Sequence, residues 1–288
     1  MNTNLSEDQQ AIKDMADRFT AEEITPHAAR WDAEHVCPRE TIAKAGELGF
    51  GAIYLPEEDG GIGLTRLEAA LIMEAMAYGC PSTSAYISIH NMASWMISRF
   101  GSAELKARYL PRLIGMQELA SYCLTEPGSG SDAAALKTRA ERDGDHYVLN
   151  GSKAFISGAG ENEVYVCMVR TGDEGHDGIT CLVVDKDTDG VSFGAPERKM
   201  GWHSQPTAMV NFDDARVPVA NRVGDEGQGF RIAMMGLDGG RLNIGACSLG
   251  GAQRCLDDAV AYVQERRQFG RAIAEFQNTQ FMLASMAT

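Results

Sequence analysis

The chain has 288 residues, of which 44% are apolar, and it carries 26 basic against 40 acidic residues for a net charge of −14. This length exceeds a typical single hydrophobic core and predicts two or three domains. The excess of carboxylates argues against binding to nucleic acid or to an anionic membrane surface, because both need clustered Lys and Arg.

The seven cysteines include no Cys-x-x-Cys pair, and the six histidines include no metal-ligand spacing such as His-Glu-x-x-His. This usage predicts reduced thiols and no metal site. The first residues are acidic and show neither an apolar nor an Arg-rich leader, and no stretch has the length of a membrane span. We therefore expect a cytoplasmic protein of bacterial type, or a mature form whose leader has been removed.

The first part of the chain is predicted to be helical. A Ser-x-x-Gln capping box opens an amphipathic helix over residues 6–19. Apolar residues at helical spacing mark a second helix over 67–78, closed by Gly and Pro, and a third over 90–100. Residues 1–118 are therefore predicted to form an all-helical N-terminal domain.

A middle β domain, a small barrel or sandwich, is predicted over residues 119–225. An Asp-Gly turn divides the segment 136–150 into two strands of a hairpin. Two further runs, 164–169 and 179–185, are rich in apolar and β-branched residues and are separated by turn residues.

Residues 226–288 return to a helical pattern and are predicted to begin a C-terminal helical bundle, which completes an α+β multidomain fold. Glycines within this long helix are each unfavourable by up to about 1 kcal/mol relative to alanine, so a neighbour must approach closely. A packed helix and a ligand explain that approach equally well. Because the amphipathic pattern is still running at Thr288, we expect either a fragment or a shortened gene.

The most informative segment is residues 122–132, Tyr-Cys-Leu-Thr-Glu-Pro-Gly-Ser-Gly-Ser-Asp. An apolar strand runs there into a turn in which Gly128 and Gly130 let the backbone approach a ligand. The hydroxyls of Thr125 and Ser131 can hydrogen-bond a polar cofactor. Taken alone, such a cluster is more often only a turn, and no Rossmann or Walker sequence for phosphate binding is present.

Together with other segments, this loop resembles the acyl-CoA dehydrogenase family, and the resemblance extends over essentially the whole chain. It rests on residues 120–157, which include Lys-Ala-Phe-Ile-Ser at 153–157, on Asp-Gly-Gly-Arg at 238–241, on Arg-Arg-Gln-Phe-Gly at 266–270 and on Phe-Gln at 276–277. The resemblance implies FAD as cofactor, an acyl-CoA thioester as substrate, electron-transfer flavoprotein as electron acceptor, and a homo-oligomer that is a dimer of dimers in the full-length form.

Residue roles follow from the same resemblance. It implies FAD contacts at Tyr122, Cys123, Leu124, Thr125, Gly130, Ser131, Phe155, Ile156, Ser157, Arg266, Gln268, Phe269, Phe276 and Gln277. It implies substrate contacts at Ser131, Asp238, Gly239, Gly240 and Arg241. Arg266 is expected to bind the FAD pyrophosphate of the partner subunit, a role that suits a permanently charged, forked donor.

The reaction of the family also needs a base that removes the proton next to the thioester carbonyl. Family members carry a glutamate for this purpose, either in the C-terminal bundle or immediately before the arginine that matches Arg241. The second position is Gly240 here, which cannot serve. The resemblance therefore implies a Glu beyond Thr288 and no catalytic residue within the chain.

Residues 84–92, 152–158 and 201–207 are most like family members that act on isobutyryl-CoA, which implies conversion to methacrylyl-CoA in valine degradation. Straight short-chain and 2-methyl-branched acyl-CoA remain alternatives, because one methylene changes selectivity by only about 1–3 kcal/mol. An oxidase that uses oxygen, and a truncated protein that keeps the fold without catalysis, also remain open.

Overall fold

The computed structural model describes residues 4–288, and the chain begins with a helical domain. Its helices are α1 (Glu7–Phe19), α2 (Ala28–Glu34), α3 (Arg39–Glu47), α4 (Arg66–Gly79), α5 (Pro81–Phe100) and α6 (Ala103–Leu113). The capping box opens α1 as expected: the Ser6 hydroxyl accepts from the Gln9 N–H, and the Gln9 side chain accepts from the Ser6 N–H. A π-helical turn, Thr20–Ile24, continues α1.

The third predicted helix starts earlier than expected. It was predicted from residue 90, with Pro81 closing the preceding helix, but α5 begins at Pro81 itself. Proline suits the first turn of a helix, because the N–H that it lacks has no intrahelical partner there. The same residue therefore ends one helix and starts the next.

The middle of the chain forms one mixed sheet. Its strands are β1 (Ala120–Cys123), β2 (Arg139–Asp143), β3 (His146–Ser157), β4 (Val164–Arg170), β5 (Ile179–Asp185), β6 (Val191–Phe193), β7 (Thr207–Pro218) and β8 (Arg222–Val223). The strand order is β6-β7-β3-β2-β4-β5-β8, and β1 pairs in parallel with β4. The predicted hairpin is β2 and β3, whose turn holds Gly144 at φ 63°.

The sheet folds so that β4 is covered on both faces. Val164, Val166 and Met168 pack in a core shared with helices α5 and α6. Tyr165 and Cys167 point the other way, into a core shared with β3 and β7. Every residue of β4 is buried, as a near-continuous apolar strand requires. The predicted architecture of a helical domain, a sandwich-like sheet domain and a second helical domain is confirmed.

The last part of the chain is dominated by α7 (Gly229–Glu265), followed by the short strands β9 (Arg267–Gln268) and β10 (Arg271–Ala272) and by α8 (Gln277–Ala287). Helices α4 and α5 lie against α7, and the glycines mark the closest approaches. A Cβ on Gly250 would lie 2.1 Å from the Glu74 carbonyl oxygen, whereas one on Gly245 would meet no atom within 4 Å. The predicted close neighbour is thus a packed helix at Gly250.

The predicted domain boundaries fall between elements: residue 118 lies between α6 and β1, and residue 225 lies between β8 and α7. They remain predictions. No helix within residues 4–288 is long and apolar enough to cross a membrane, and the same residues contain no group of His, Cys, Asp and Glu side chains that could hold a metal ion. The seven cysteines are free thiols.

His90, on α5, joins three elements by a buried pair of hydrogen bonds. Its Nδ1 accepts from the Ala120 N–H at 3.0 Å, so the proton sits on Nε2, which donates to the Leu113 carbonyl at 3.0 Å. Burial lowers the pKa of His90 from 6.5 to about 4, so the side chain is neutral in the folded protein at pH 7.

Substitution of the two helix glycines should have opposite effects. Gly250→Ala is expected to lower the free energy of unfolding by about 1–3 kcal/mol, because its methyl group would overlap the backbone of α4. The matched control Gly245→Ala lies in the same helix with open space around it, and it should raise stability by up to about 1 kcal/mol. Urea denaturation of both variants measures this, and equal changes would contradict the packing described.

His90 should make the fold acid-sensitive. Its pKa is about 4 in the folded protein and 6.5 otherwise, so the unfolded chain binds more protons between these values. The free energy of unfolding should therefore decrease by up to about 3 kcal/mol as pH falls from 6.5 to 4. His90→Gln should remove this part of the pH dependence in denaturation curves, and the exposed control His176→Gln should retain it. An unchanged acid limb in His90→Gln would refute the assignment.

Candidate functional site

A pocket of about 560 Å³ lies between the sheet and the helices α5 and α7. The sheet side is lined by Tyr122, Leu124, Thr125, Ala154, Phe155, Ile156 and Ser157, and the helix side by Ser88, Ile89, Met92, Leu237, Gly240, Arg241 and Ile244. Three segments that the sequence singled out, the loop after β1, the end of β3 and the Asp-Gly-Gly-Arg segment, therefore meet in one cavity. Mostly apolar walls with a few polar groups are typical of a cofactor site.

The sheet wall is shaped by a bulge in β3. Its pairing with β7 shifts register between Lys153 and Ile156, and Phe155 within the bulge has φ 57°. This left-handed backbone is unusual for a bulky residue, and it leaves the Phe155 ring 67% exposed on the pocket wall. The Ala154 N–H donates to the Thr125 carbonyl at 2.8 Å and so ties the bulge to the loop after β1.

A buried ion pair lies behind this wall. The Lys153 ammonium, with no solvent exposure, donates to Glu126 Oε1 at 2.8 Å and to the Leu124 carbonyl at 3.2 Å. The Glu126 carboxylate also accepts the backbone N–H groups of Lys137 and Thr138, at 2.6 and 2.9 Å. Burial raises the pKa of Glu126, but Lys153 and these donors outweigh it, so the net shift is downward. Burial lowers the pKa of Lys153, partly offset by Glu126.

Ser157, at the end of β3, is held from two sides. Its carbonyl accepts from the Ser121 hydroxyl at 2.7 Å, and its own hydroxyl accepts from the Gln205 side chain. Gln205 lies in a loop that is fastened to the helical domain, because the N–H of His203 donates to Asp32. Hydrogen bonding to the Lys199 carbonyl and to Asp32 raises the pKa of His203. Gln205 was given no role from the sequence alone.

The helix wall uses the glycines of α7 in two ways. A Cβ on Gly240 would stand 3.1 Å from Met92 Sδ, so this glycine faces α5 at the edge of the pocket. A Cβ on Gly239 would stand 2.3 Å from Arg66 Cζ, so Gly239 packs against the Arg66 side chain, outside the pocket lining. The Arg66 guanidinium in turn lies 3.6 Å from the centre of the Tyr54 ring.

Of the segment expected to contact substrate, Gly240 and Arg241 line the pocket and Asp238 does not. Asp238 is exposed and forms an ion pair with Arg241, at 3.4 Å between Oδ1 and Nη2. Ser131 is also exposed, in the turn after β1, and it is absent from the lining. Arg241 is the positively charged residue in the described pocket lining, so it is available to contact an anionic ligand.

The remaining predicted cofactor residues do not reach the pocket of their own chain. Cys123 is buried in the sheet core, and Gly130 is exposed in the turn. Others lie beyond the far end of α7: Arg266, Gln268, Phe269, Phe276 and Gln277. At the helical rise, the stretch from Gly240 to Arg266 spans about 39 Å. One chain therefore cannot place both ends of α7 on one pocket.

No carboxylate lines the pocket within residues 4–288. Glu126 is turned away from it and neutralised by Lys153. Glu226 accepts from the Tyr147 hydroxyl and pairs with Arg222 at 3.6 Å, on the sheet rather than at the pocket. Neither residue is placed to remove a proton from a molecule in the cavity.

Comparison with known proteins gives consistent matches along the chain. Models of the acyl-CoA dehydrogenase family match residues 6–117 (N-terminal domain), 121–215 (middle domain) and 227–288 (C-terminal domain). The mitochondrial isobutyryl-CoA dehydrogenase of Dictyostelium discoideum is 55% identical over 100% of this chain and 69% of its own length. That of Bos taurus is 56% identical over 98% of this chain and 68% of its own length.

Solved structures agree with these relatives. The butyryl-CoA dehydrogenase of Megasphaera elsdenii matches with a TM-score of 0.95 and 35% identity, covering 100% of this chain and 76% of that one. An FAD complex of PigA matches with a TM-score of 0.94 and 30% identity at the same coverage. A chain in the structure of the electron-transferring flavoprotein of Acidaminococcus fermentans matches with a TM-score of 0.96 and 42% identity, again at that coverage.

The expectation of a cytoplasmic protein of bacterial type is wrong. The relatives that share 55% and 56% of their aligned residues with this chain are mitochondrial enzymes of an amoeba and a mammal. A targeting leader is separate from the folded enzyme and is removed after import, so the composition of the folded part does not report the compartment.

Proposed function

Because the chain belongs to the acyl-CoA dehydrogenase family, we infer that it catalyses the FAD-dependent α,β-dehydrogenation of a short branched-chain acyl-CoA. The substrate is isobutyryl-CoA and the product methacrylyl-CoA, a step of valine degradation. The observation that carries this function is the meeting of the loop after β1, the β3 bulge and the α7 segment Gly240–Arg241 in one cavity.

The residues of the sheet wall fit a flavin. The N–H of Thr125 has no acceptor among the described residues, and Thr125 lines the pocket, so a hydrogen-bond donor is available there. Phe155 presents an aromatic surface, and Ser157 presents a hydroxyl fixed by Gln205. When bound, FAD supplies the acceptor for the hydride from the β-carbon. Leu124, Thr125, Phe155 and Ser157 would hold and orient its ring.

We propose that the phosphates of FAD are bound by Arg266 and its neighbours from a second copy of the chain. The length of α7 supports this arrangement, because Arg266 lies about 39 Å from Gly240 along the helix axis. A dimer of dimers remains the proposed assembly. Phe269 is 93% exposed on one chain, as expected for a residue that is covered only by a partner.

The acyl group would lie between the flavin and the helix wall. Gly240 has no side chain, and the flexible Met92 faces it, so this part of the wall leaves room for a branched acyl group. Arg241, 68% exposed, is proposed to meet the anionic coenzyme. Because the described lining holds no carboxylate, we propose that the base is a Glu beyond Thr288. Ser131, Asp238 and Gly239 remain predicted substrate contacts.

Electron-transfer flavoprotein is the proposed electron acceptor. Support comes from the match to a chain in the structure of such a flavoprotein from Acidaminococcus fermentans, at 42% identity. Turnover that consumes oxygen in the absence of that partner would instead indicate an oxidase.

Anaerobic titration of the purified full-length protein tests the proposed reaction. Isobutyryl-CoA is expected to bleach the flavin absorbance band more efficiently than butyryl-CoA, because pocket shape selects the branched acyl group. The rate constant of bleaching divided by the apparent Kd should be at least about tenfold higher for isobutyryl-CoA. A bound flavin that neither thioester bleaches would contradict the assigned substrates. A purified protein without flavin would contradict the assigned cofactor.

Phe155→Gly separates backbone strain from cofactor binding. Glycine accepts the left-handed backbone, so unfolding should require about 1 kcal/mol more free energy, while loss of the aromatic wall should weaken FAD binding at least about tenfold. Trp202 has the same φ of 57° and does not line the pocket, so Trp202→Gly is the matched control. It should keep its FAD affinity, measured by titrating the apoprotein, although it also loses the packing of an indole that is only 40% exposed. Equal FAD affinities for the two variants would argue against Phe155 as a cofactor contact.

A further inference from the structure

Lys153 is a fully buried charged residue that the proposed reaction does not use. Its ammonium sits inside the sheet domain with Glu126 Oε1 at 2.8 Å and the Leu124 carbonyl at 3.2 Å. A buried ion pair is weak evidence for stability, because the desolvation of two charges can exceed their attraction. Its position directly behind the pocket wall therefore calls for a different explanation.

The contact with Leu124 reaches the pocket through one peptide group. The Leu124 carbonyl and the Thr125 N–H belong to the same amide, so the lysine donates to one end of it. The other end, the Thr125 N–H, has no acceptor within the described part of the chain, and Thr125 lines the cavity. A charged donor on the carbonyl polarises the amide and makes its N–H a stronger donor.

The neighbouring residue reinforces the geometry. Ala154 follows Lys153 on β3, and its N–H donates to the Thr125 carbonyl at 2.8 Å. Two consecutive residues of β3 thus hold two consecutive carbonyls of the loop, which fixes the plane of the 124–125 peptide. The Glu126 carboxylate is held by the N–H groups of Lys137 and Thr138, so the lysine has a fixed counter-ion.

We propose that Lys153 is a positioning residue that polarises the 124–125 peptide and thereby stabilises reduced FAD more than oxidised FAD, with Glu126 keeping the ammonium charged. A stronger donor favours the more electron-rich form of a flavin. This inference rests on the proposed function. Burial lowers the pKa of Lys153 and Glu126 counteracts this, and the other titratable groups near the ammonium are the buried thiols of Cys123 and Cys167.

The test compares Lys153→Met, the neutral pair Lys153→Met with Glu126→Gln, and the control Lys137→Met. Lys137 is exposed, and its side chain forms no hydrogen bond or ion pair among residues 4–288, so its variant removes the same charge from the neighbouring segment. Three quantities are measured on each full-length protein: the two-electron midpoint potential of bound FAD, the FAD affinity of the apoprotein and the free energy of unfolding.

Lys153→Met should reduce the preference for reduced FAD at least tenfold, which lowers the midpoint potential by about 30 mV for a two-electron couple. It should also destabilise the fold, because Glu126 is left unpaired. The double variant should regain stability, since no buried charge remains, but it should keep the lowered potential. Lys137→Met should match the wild type.

A double variant that regains the wild-type potential would overturn the inference, because the pair would then serve the fold alone. An unchanged potential in Lys153→Met would overturn it as well. If Lys153→Met does not fold, the double variant decides the question by itself. A wild-type protein that binds no FAD would refute the proposed function and this inference together, whereas FAD-binding variants with unaltered potentials would refute only the inference.

Discussion

The candidate site depends on how the loop after β1 is held against the bulge in β3. The two segments lie about thirty residues apart in the sequence, and they are joined by the Ala154 N–H to the Thr125 carbonyl and by the Lys153 ammonium to the Leu124 carbonyl. Together with the pairing of β3 and β7 on either side, these bonds hold Phe155 in a left-handed backbone conformation that costs roughly 1–3 kcal/mol in a bulky residue. The contacts behind the pocket wall therefore determine the positions of the polar groups that face the pocket.

The long helix α7 gives the molecule its second constraint. From its start to Gly250 it packs closely on α5 and α4 and closes the helix side of the pocket, and at its far end it carries the segment that follows Arg266. A rigid helix fixes the separation of these two ends. An enzyme that needs both at one cofactor must therefore bring in a second copy, which links the fold of one chain to the proposed oligomer.

Short-range sequence patterns predicted much of the fold. The capping box at Ser6, the Asp-Gly turn before His146 and the apolar runs of β4 and β5 each act over a few residues, and their elements are found where they were predicted. The change from helical to strand patterns and back predicted the three-part architecture, and the family resemblance supplied the flavin chemistry. Pro81 was misread, because the same residue type ends one helix and begins another.

Contacts between distant residues could not be predicted in this way. Ser88, Ile89 and Met92 form part of the pocket lining, yet the sequence showed only that residues 84–92 resemble a family subgroup and gave these three side chains no role. The ion pair of Lys153 with Glu126 joins two segments that no spacing rule connects. The predicted compartment was wrong for a different reason, because the residues of a folded core carry no targeting signal. The individual cofactor and substrate contacts remain predictions.

An experimental structure of the full-length protein with FAD bound tests the account most directly. The account places the flavin ring between the loop after β1, Phe155 and the helix wall near Gly240, with the Thr125 N–H donating to the ring and Arg266 of a second copy contacting the phosphates. A flavin located elsewhere, or one whose phosphates are bound only by its own chain, would contradict it.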